Sequence, residues 1–138
     1  MNAMGWKKTV LFLSAAMILL SGCSLSPEEK VGRERALKQS LEGFINASVQ
    51  SNWDDLYRMS AGRFNDAEQL KEHLVKTRVP EATLTGGDIA SMAWENDKMA
   101  KVKINWSFQA QSVQSVSSET FVWVWKAKSW KYLGRALR

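Results

Sequence analysis

From residue 28 to residue 50, apolar positions recur at three- and four-residue steps: Val31, Ala36 or Leu37, Leu41, Phe44, Ile45 and Val49. That spacing predicts one long helix with a single stripe turned to a core. Ser26 suits its N-cap and Pro27 its first turn, with Glu28 and Glu29 at the positive end of the dipole. Gly43 costs about 1 kcal/mol there relative to alanine, which points to a close contact. Ser51 and Asn52 break the pattern. Trp53, Leu56, Tyr57 and Met59 then predict a short second helix, capped by Asp54 and Asp55 and ended by Gly62. Ala67, Leu70, Leu74 and Val75 share a face of a third helix begun by Asn65 or Asp66. Its exposed side carries Glu72 and Lys76 as an i,i+4 pair.

After Pro80 the period shortens to two. Residues 82–94 predict a first strand, interrupted by Gly86-Gly87 as a bulge or bend. Residues 95–98 are a turn cluster. Residues 101–109 alternate cleanly, with Val102, Ile104, Trp106 and Phe108 on one face and Lys101, Lys103, Asn105, Ser107 and Gln109 on the other. The polar run 111–118 contains the next reversal. Phe121, Trp123 and Trp125 alternate with Val122 and Val124, so this strand is apolar on both faces and central. Residues 126–129 turn the chain into a last strand, 130–137.

Helices followed by a run of strands predict an α+β fold: three N-terminal helices packed on a bent four-stranded antiparallel meander. The order helix-helix-helix-sheet, the step Asn52-Trp53-Asp54-Asp55-Leu56-Tyr57 and the terminal hairpin ending Trp130-Lys131-Tyr132-Leu133 resemble the NTF2-like (cystatin-like) group of small domains. The resemblance covers about residues 28–137 and implies a sheet bent into a cone. Enzymes of that group place acid/base residues inside the cone.

The first residues follow a different logic. Lys7 and Lys8 precede an apolar segment from 9 to 20, the order of a secretory signal peptide. At about 12 residues it is too short to span a bilayer, which takes about 20. It ends in Leu20-Ser21-Gly22-Cys23, and Cys23 is the chain's only cysteine. This resembles the lipobox of bacterial lipoproteins. The resemblance implies cleavage between Gly22 and Cys23, a diacylglyceryl group on the Cys23 sulfur, and anchorage of the protein in a lipid bilayer. Two or more acyl chains hold stably where one is marginal. Ser24 follows where some Gram-negative lipoproteins carry an inner-membrane retention aspartate. In such a host the resemblance therefore implies the periplasmic face of the outer membrane. The expected organisation is 1–22 signal peptide, 23–27 acylated N-terminus and linker, and 28–138 domain.

Cleavage leaves 116 of 138 residues, enough for one domain. It removes two lysines and no acid, taking the formal charge from +5 to +3. That mild excess has no dense basic stripe, so a nucleic-acid partner is not expected. A second cysteine is lacking, so no internal disulfide can form, and the tryptophans, seven in all with Trp6 in the signal segment, supply much of the core instead. One histidine and one acylated cysteine do not make a metal site, and no cofactor motif is legible. His73, the single histidine, lies off the Leu70–Leu74 stripe and is expected in solvent. No catalytic residue is assigned. Asp88, beside Ile89 in the first strand, is the carboxylate with most scope to point inward.

The aromatic residues of the sheet read as core filling. A ligand or partner face drawn from Trp106, Phe108, Val122, Trp123, Val124 and Trp125 is the competing reading, because one helical layer cannot bury both sides of the strand 121–125. Two functions follow. The leading one is a non-catalytic envelope lipoprotein that binds a partner protein or dimerises. The alternative is a carrier of a small apolar ligand, or an isomerase- or dehydratase-type NTF2-like enzyme with Asp88 as base. A filled interior favours the first and an open, carboxylate-lined one the second.

Overall fold

The computed structural model describes residues 25–136. Gly22 and Cys23, the expected cleavage and lipidation residues, lie outside that range. The described chain is α+β, with helices α1 (Pro27–Val49), α2 (Trp53–Arg58) and α3 (Ala67–Val75) followed by strands β1 (Thr83–Asn96), β2 (Met99–Ala110), β3 (Val113–Lys126) and β4 (Ser129–Arg135). The strands pair in chain order as one antiparallel four-stranded sheet. Of the described chain, residues 33–136 form one compact unit, and the long-range contacts below are internal to it.

The helix starts follow side-chain chemistry. Ser26 Oγ accepts from the Glu29 N–H at 3.2 Å, capping α1. In α2 the cap is Asn52, whose Oδ1 accepts from the Asp55 N–H while its Nδ2 donates to Asp55 Oδ2 at 2.7 Å. Asp54 and Asp55 are thus first-turn residues that complement the dipole, not the caps expected of them. Asp66 caps α3 by accepting from the Gln69 N–H at 2.8 Å.

Leu37, Leu41, Phe44 and Ile45 are buried along α1, as the stripe requires, and Ala47 joins them. Val49 and Val75, expected on buried stripes, sit at helix ends where they are only partly covered and stay exposed. Opposite lies the inner sheet face: Ala100, Val102, Ile104, Trp106 and Phe108 of β2 with Phe121 and Trp123 of β3 and Trp130 and Tyr132 of β4, all buried. Phe44 sits at the centre, its ring centroid 5.3 Å from both Trp123 and Tyr132, 5.8 Å from Phe121 and 6.1 Å from Trp106. Such edge and offset contacts between rings add about 0.5–1.5 kcal/mol per pair beyond the area buried.

The glycine pair in β1 does what its position suggests. The β1–β2 register slips between Leu84 and Gly86. Gly87 then lies under the Trp106 indole, where an added Cβ would come within 2.8 Å of the ring. Gly43 has no such neighbour: a Cβ there would meet only the Met59 methyl at 3.4 Å, an ordinary contact. The close approach expected at Gly43 is absent.

The second reversal is tighter than the polar run 111–118 suggests. It is confined to Gln111 and Ser112, and β3 begins at Val113. The β3–β4 turn is Ala127-Lys128, both with positive φ, 52° and 64°.

Candidate functional site

The six residues read as a possible ligand or partner face do not share one. Trp106 pairs across the sheet with Gly87, and Trp123 with Ala100 and Tyr132, all on the side turned to the helices. Trp106, Phe108 and Trp123 are buried there. Trp125 is on the same side at its margin, half-buried against Trp130 and beneath the Arg33 guanidinium at 4.7 Å. Only Val122 and Val124 face outward. They are half-buried, opposite Lys101 and Met99 of β2, with Lys131 of β4 beside Val124. Strand alternation is the cause: odd positions of β3 meet even positions of β2, so neighbours such as Val122 and Trp123 must oppose each other.

The interior is filled. Phe44, Phe121, Trp123 and Tyr132 are among the largest fully buried side chains, and Trp106 closes one side of the group. Asp88 is not among them. It pairs with Asn105 on the outer face, is exposed, and lines an open trough of about 400 Å³ with Gly86, Ser107, Gln114 and Val116.

A polar cluster that sequence reasoning missed joins α3 to the end of the sheet. The Arg135 guanidinium donates from Nη1 to the His73 carbonyl at 2.7 Å and from Nη2 to the Leu74 carbonyl at 3.1 Å. It also donates from Nη2 to Thr77 Oγ1 at 2.9 Å, and from Nε to Glu119 Oε2 at 3.1 Å. Thr77 in turn donates to Glu119 Oε1 at 2.7 Å. The last carbonyls of a helix have no partner within it, and here a strand side chain supplies one. Nothing in the local sequence signals this, because Arg135 and Glu119 are distant from α3 in the chain.

His73 belongs to the same cluster and is not the solvated residue expected. Its ring is 5.0 Å from Phe64, and its Nε2 is 2.9 Å from the Tyr132 hydroxyl. Burial lowers its pKa, and Arg135, Arg63 and Lys76 lower it further against the opposing pull of Glu119. The Arg135 Nη1 also lies 3.5 Å from that nitrogen, so Nε2 is the unprotonated acceptor and the tyrosine O–H donates to it. Burial pushes the Tyr132 pKa far up, which keeps that proton in place. The Arg135 guanidinium, the Glu119 carboxylate and the Thr77 hydroxyl are all engaged within the fold, so the geometry of the cluster is that of a structural tie.

Along the sheet margins, β4 ends its ladder with β3 at Phe121, opposite Arg135, and the Ala136 N–H reaches the Thr120 carbonyl at 2.8 Å. From 113 to 119, the ladder of β3 runs with β2 alone among the described residues. No group of three or more metal-ligating side chains occurs among the described residues, and no described helix is long and apolar enough to cross a membrane. The chain matches no model of a known protein family and no curated protein.

Proposed function

We propose that the protein is an envelope lipoprotein, held to a bilayer by acylated Cys23. Its NTF2-like domain binds a partner protein or a second copy and catalyses nothing. The observation that carries this reading is the packed interior. Phe44, Trp106, Phe121, Trp123 and Tyr132 occupy the space between helices and sheet in which a ligand or a catalytic base would have to sit. Protein interiors pack at a density near 0.74, and among the described residues rings of this size fill that space. Asp88, the base of the enzymatic alternative, lies exposed on the outer face, away from the space between helices and sheet. The helix order and antiparallel meander support the finer NTF2-like assignment.

The anchor rests on the sequence 20–23 and is tested directly. Mass spectrometry of protein extracted from membranes is expected to find an N-terminal peptide beginning at Cys23 with added acyl mass. Cys23→Ala is expected to leave unprocessed or soluble protein. An unmodified N-terminus elsewhere overturns the anchor. Crosslinking of intact envelopes, followed by pull-down of the full chain, is expected to return a specific protein or a second copy. A co-purifying small molecule with neither of these overturns the binding-module reading.

A further inference from the structure

Among the described residues, three stretches of strand border the sheet without a neighbouring strand, and two of them are protected. The free side of β1 carries register slips at Leu84/Gly86, Ile89/Ser91 and Trp94/Asn96, with Asp88 and Glu95 along it. Bulges and charges of this kind keep an edge from pairing with another chain. On β4 the chain between α2 and α3 covers the edge: Tyr132 donates its N–H to the Met59 carbonyl at 2.7 Å, and the Ala61 N–H donates to the Tyr132 carbonyl at 2.8 Å. The third stretch, β3 beyond the end of β4, has neither device. Val113-Gln114-Ser115-Val116-Ser117-Ser118 contains no charge and no proline, and its register with β2 runs without a slip. All six residues are exposed, Val113 at 64% and Val116 at 68%.

We infer that this edge pairs antiparallel with the same edge of a second copy, joining two sheets into one. The inference rests on the dimerising form of the proposed function. The main chain fixes the register. The Thr120 carbonyl points to the β4 side, where it meets the Ala136 N–H. Main-chain groups alternate along a strand, so those of Gln114, Val116 and Ser118 also point to the free side. A two-fold axis joins residues that point alike. Centred on Val116, it sets Gln114 opposite Ser118 of the second copy and Val116 opposite itself, with about six main-chain hydrogen bonds. The occupant follows from charge. A two-fold register confronts the central residue with its own copy and its neighbours with one another, so a lysine here would meet like charge. The outward positions of β2 and β4 carry Lys101, Lys103 and Lys131, whereas this segment carries none. The pairing also covers Val116, one of the most exposed large apolar side chains described.

The test uses the full chain, expressed with its N-terminal segment and solubilised from membranes in detergent. Val116→Cys places two thiols across a hydrogen-bonded pair about 5.5 Å apart at Cα, within disulfide reach. Mild oxidation is expected to give a dimer on a non-reducing gel, while Ser91→Cys, exposed on β1, stays monomeric. Val116→Lys, which keeps the main-chain N–H, is expected to weaken the unmodified dimer at least tenfold in sedimentation with an unchanged circular dichroism spectrum. A dimer indifferent to Val116→Lys and not captured by Val116→Cys overturns the inference and leaves dimerisation by another surface. A monomeric protein overturns it too, and leaves only a foreign partner for the proposed function. Disulfide formation by the unsubstituted chain would instead show a free Cys23, a failure of the anchor and not of the edge.

Discussion

Nε2 of His73 and the hydroxyl of Tyr132 lie 2.9 Å apart, a hydrogen bond between α3 and β4 in which the imidazole is the acceptor. Its protonation would set a second cation against Arg135 and reverse the demand on the tyrosine proton. Burial, then Arg135, depress the His73 pKa in the folded state, so the unfolded chain takes up the proton first. Stability is therefore expected to fall as the pH drops from about 7.5 through about 6.5 toward the lowered folded value. Urea midpoints measured across that range check this. His73→Gln should flatten the slope, and an unaltered slope in the variant would place its origin elsewhere.

Arg135 is expected to be the most costly charged residue to remove. Arg135→Met strips partners from the His73 and Leu74 carbonyls and leaves Glu119, only 16% exposed, without its cation. Loss of a partner for a largely buried charge and two carbonyls predicts about 2–4 kcal/mol in denaturant unfolding. Arg135→Lys should recover less than half of it, since one ammonium cannot span the acceptors the guanidinium reaches. Full recovery by lysine would mean that charge alone matters there.

Two glycines should respond in opposite directions. Gly87→Ala drives a methyl into the Trp106 ring, which is 5% exposed and has no room to withdraw, at about 1–3 kcal/mol. Gly43→Ala meets only a methionine methyl and removes the helical penalty of glycine, for a gain of about 0.5–1 kcal/mol. Thermal midpoints of the two variants read both signs at once.

Lys128 holds φ at 64° in a two-residue hairpin turn, a conformation in which a side chain crowds its own backbone. Lys128→Gly should raise stability by about 1 kcal/mol, measured by chemical unfolding. A loss would mean that the lysine side chain contributes a contact outweighing the strain.

Much of the fold was legible because its periodicities are local. The alternation from Val102 to Phe108 and the stripe Leu37, Leu41, Phe44, Ile45 each need only one element and one covered face. Inner and outer positions of β3 were harder to sort, because Val122 and Trp123 are both apolar and pairing with β2 decides which is covered. The start of β3 was hidden for the converse reason: from Val113 to Ser118 no helix covers the strand, so nothing selects an alternating pattern. The cluster around Arg135 and His73 left no trace in the sequence, since each of its members is placed by an element remote in the chain.

The meander also sets an order of events as the chain emerges. Each strand pairs with its immediate successor across a tight turn, so the sheet closes only short loops. The helices come first in the chain yet gain their partners last. Phe44 waits for Trp106, then Phe121 and Trp123, and finally Tyr132. A chain still lacking β4 has neither the ring that stacks on Phe44 nor the guanidinium that closes α3. Docking of the helices is therefore completed only once β4 has been delivered.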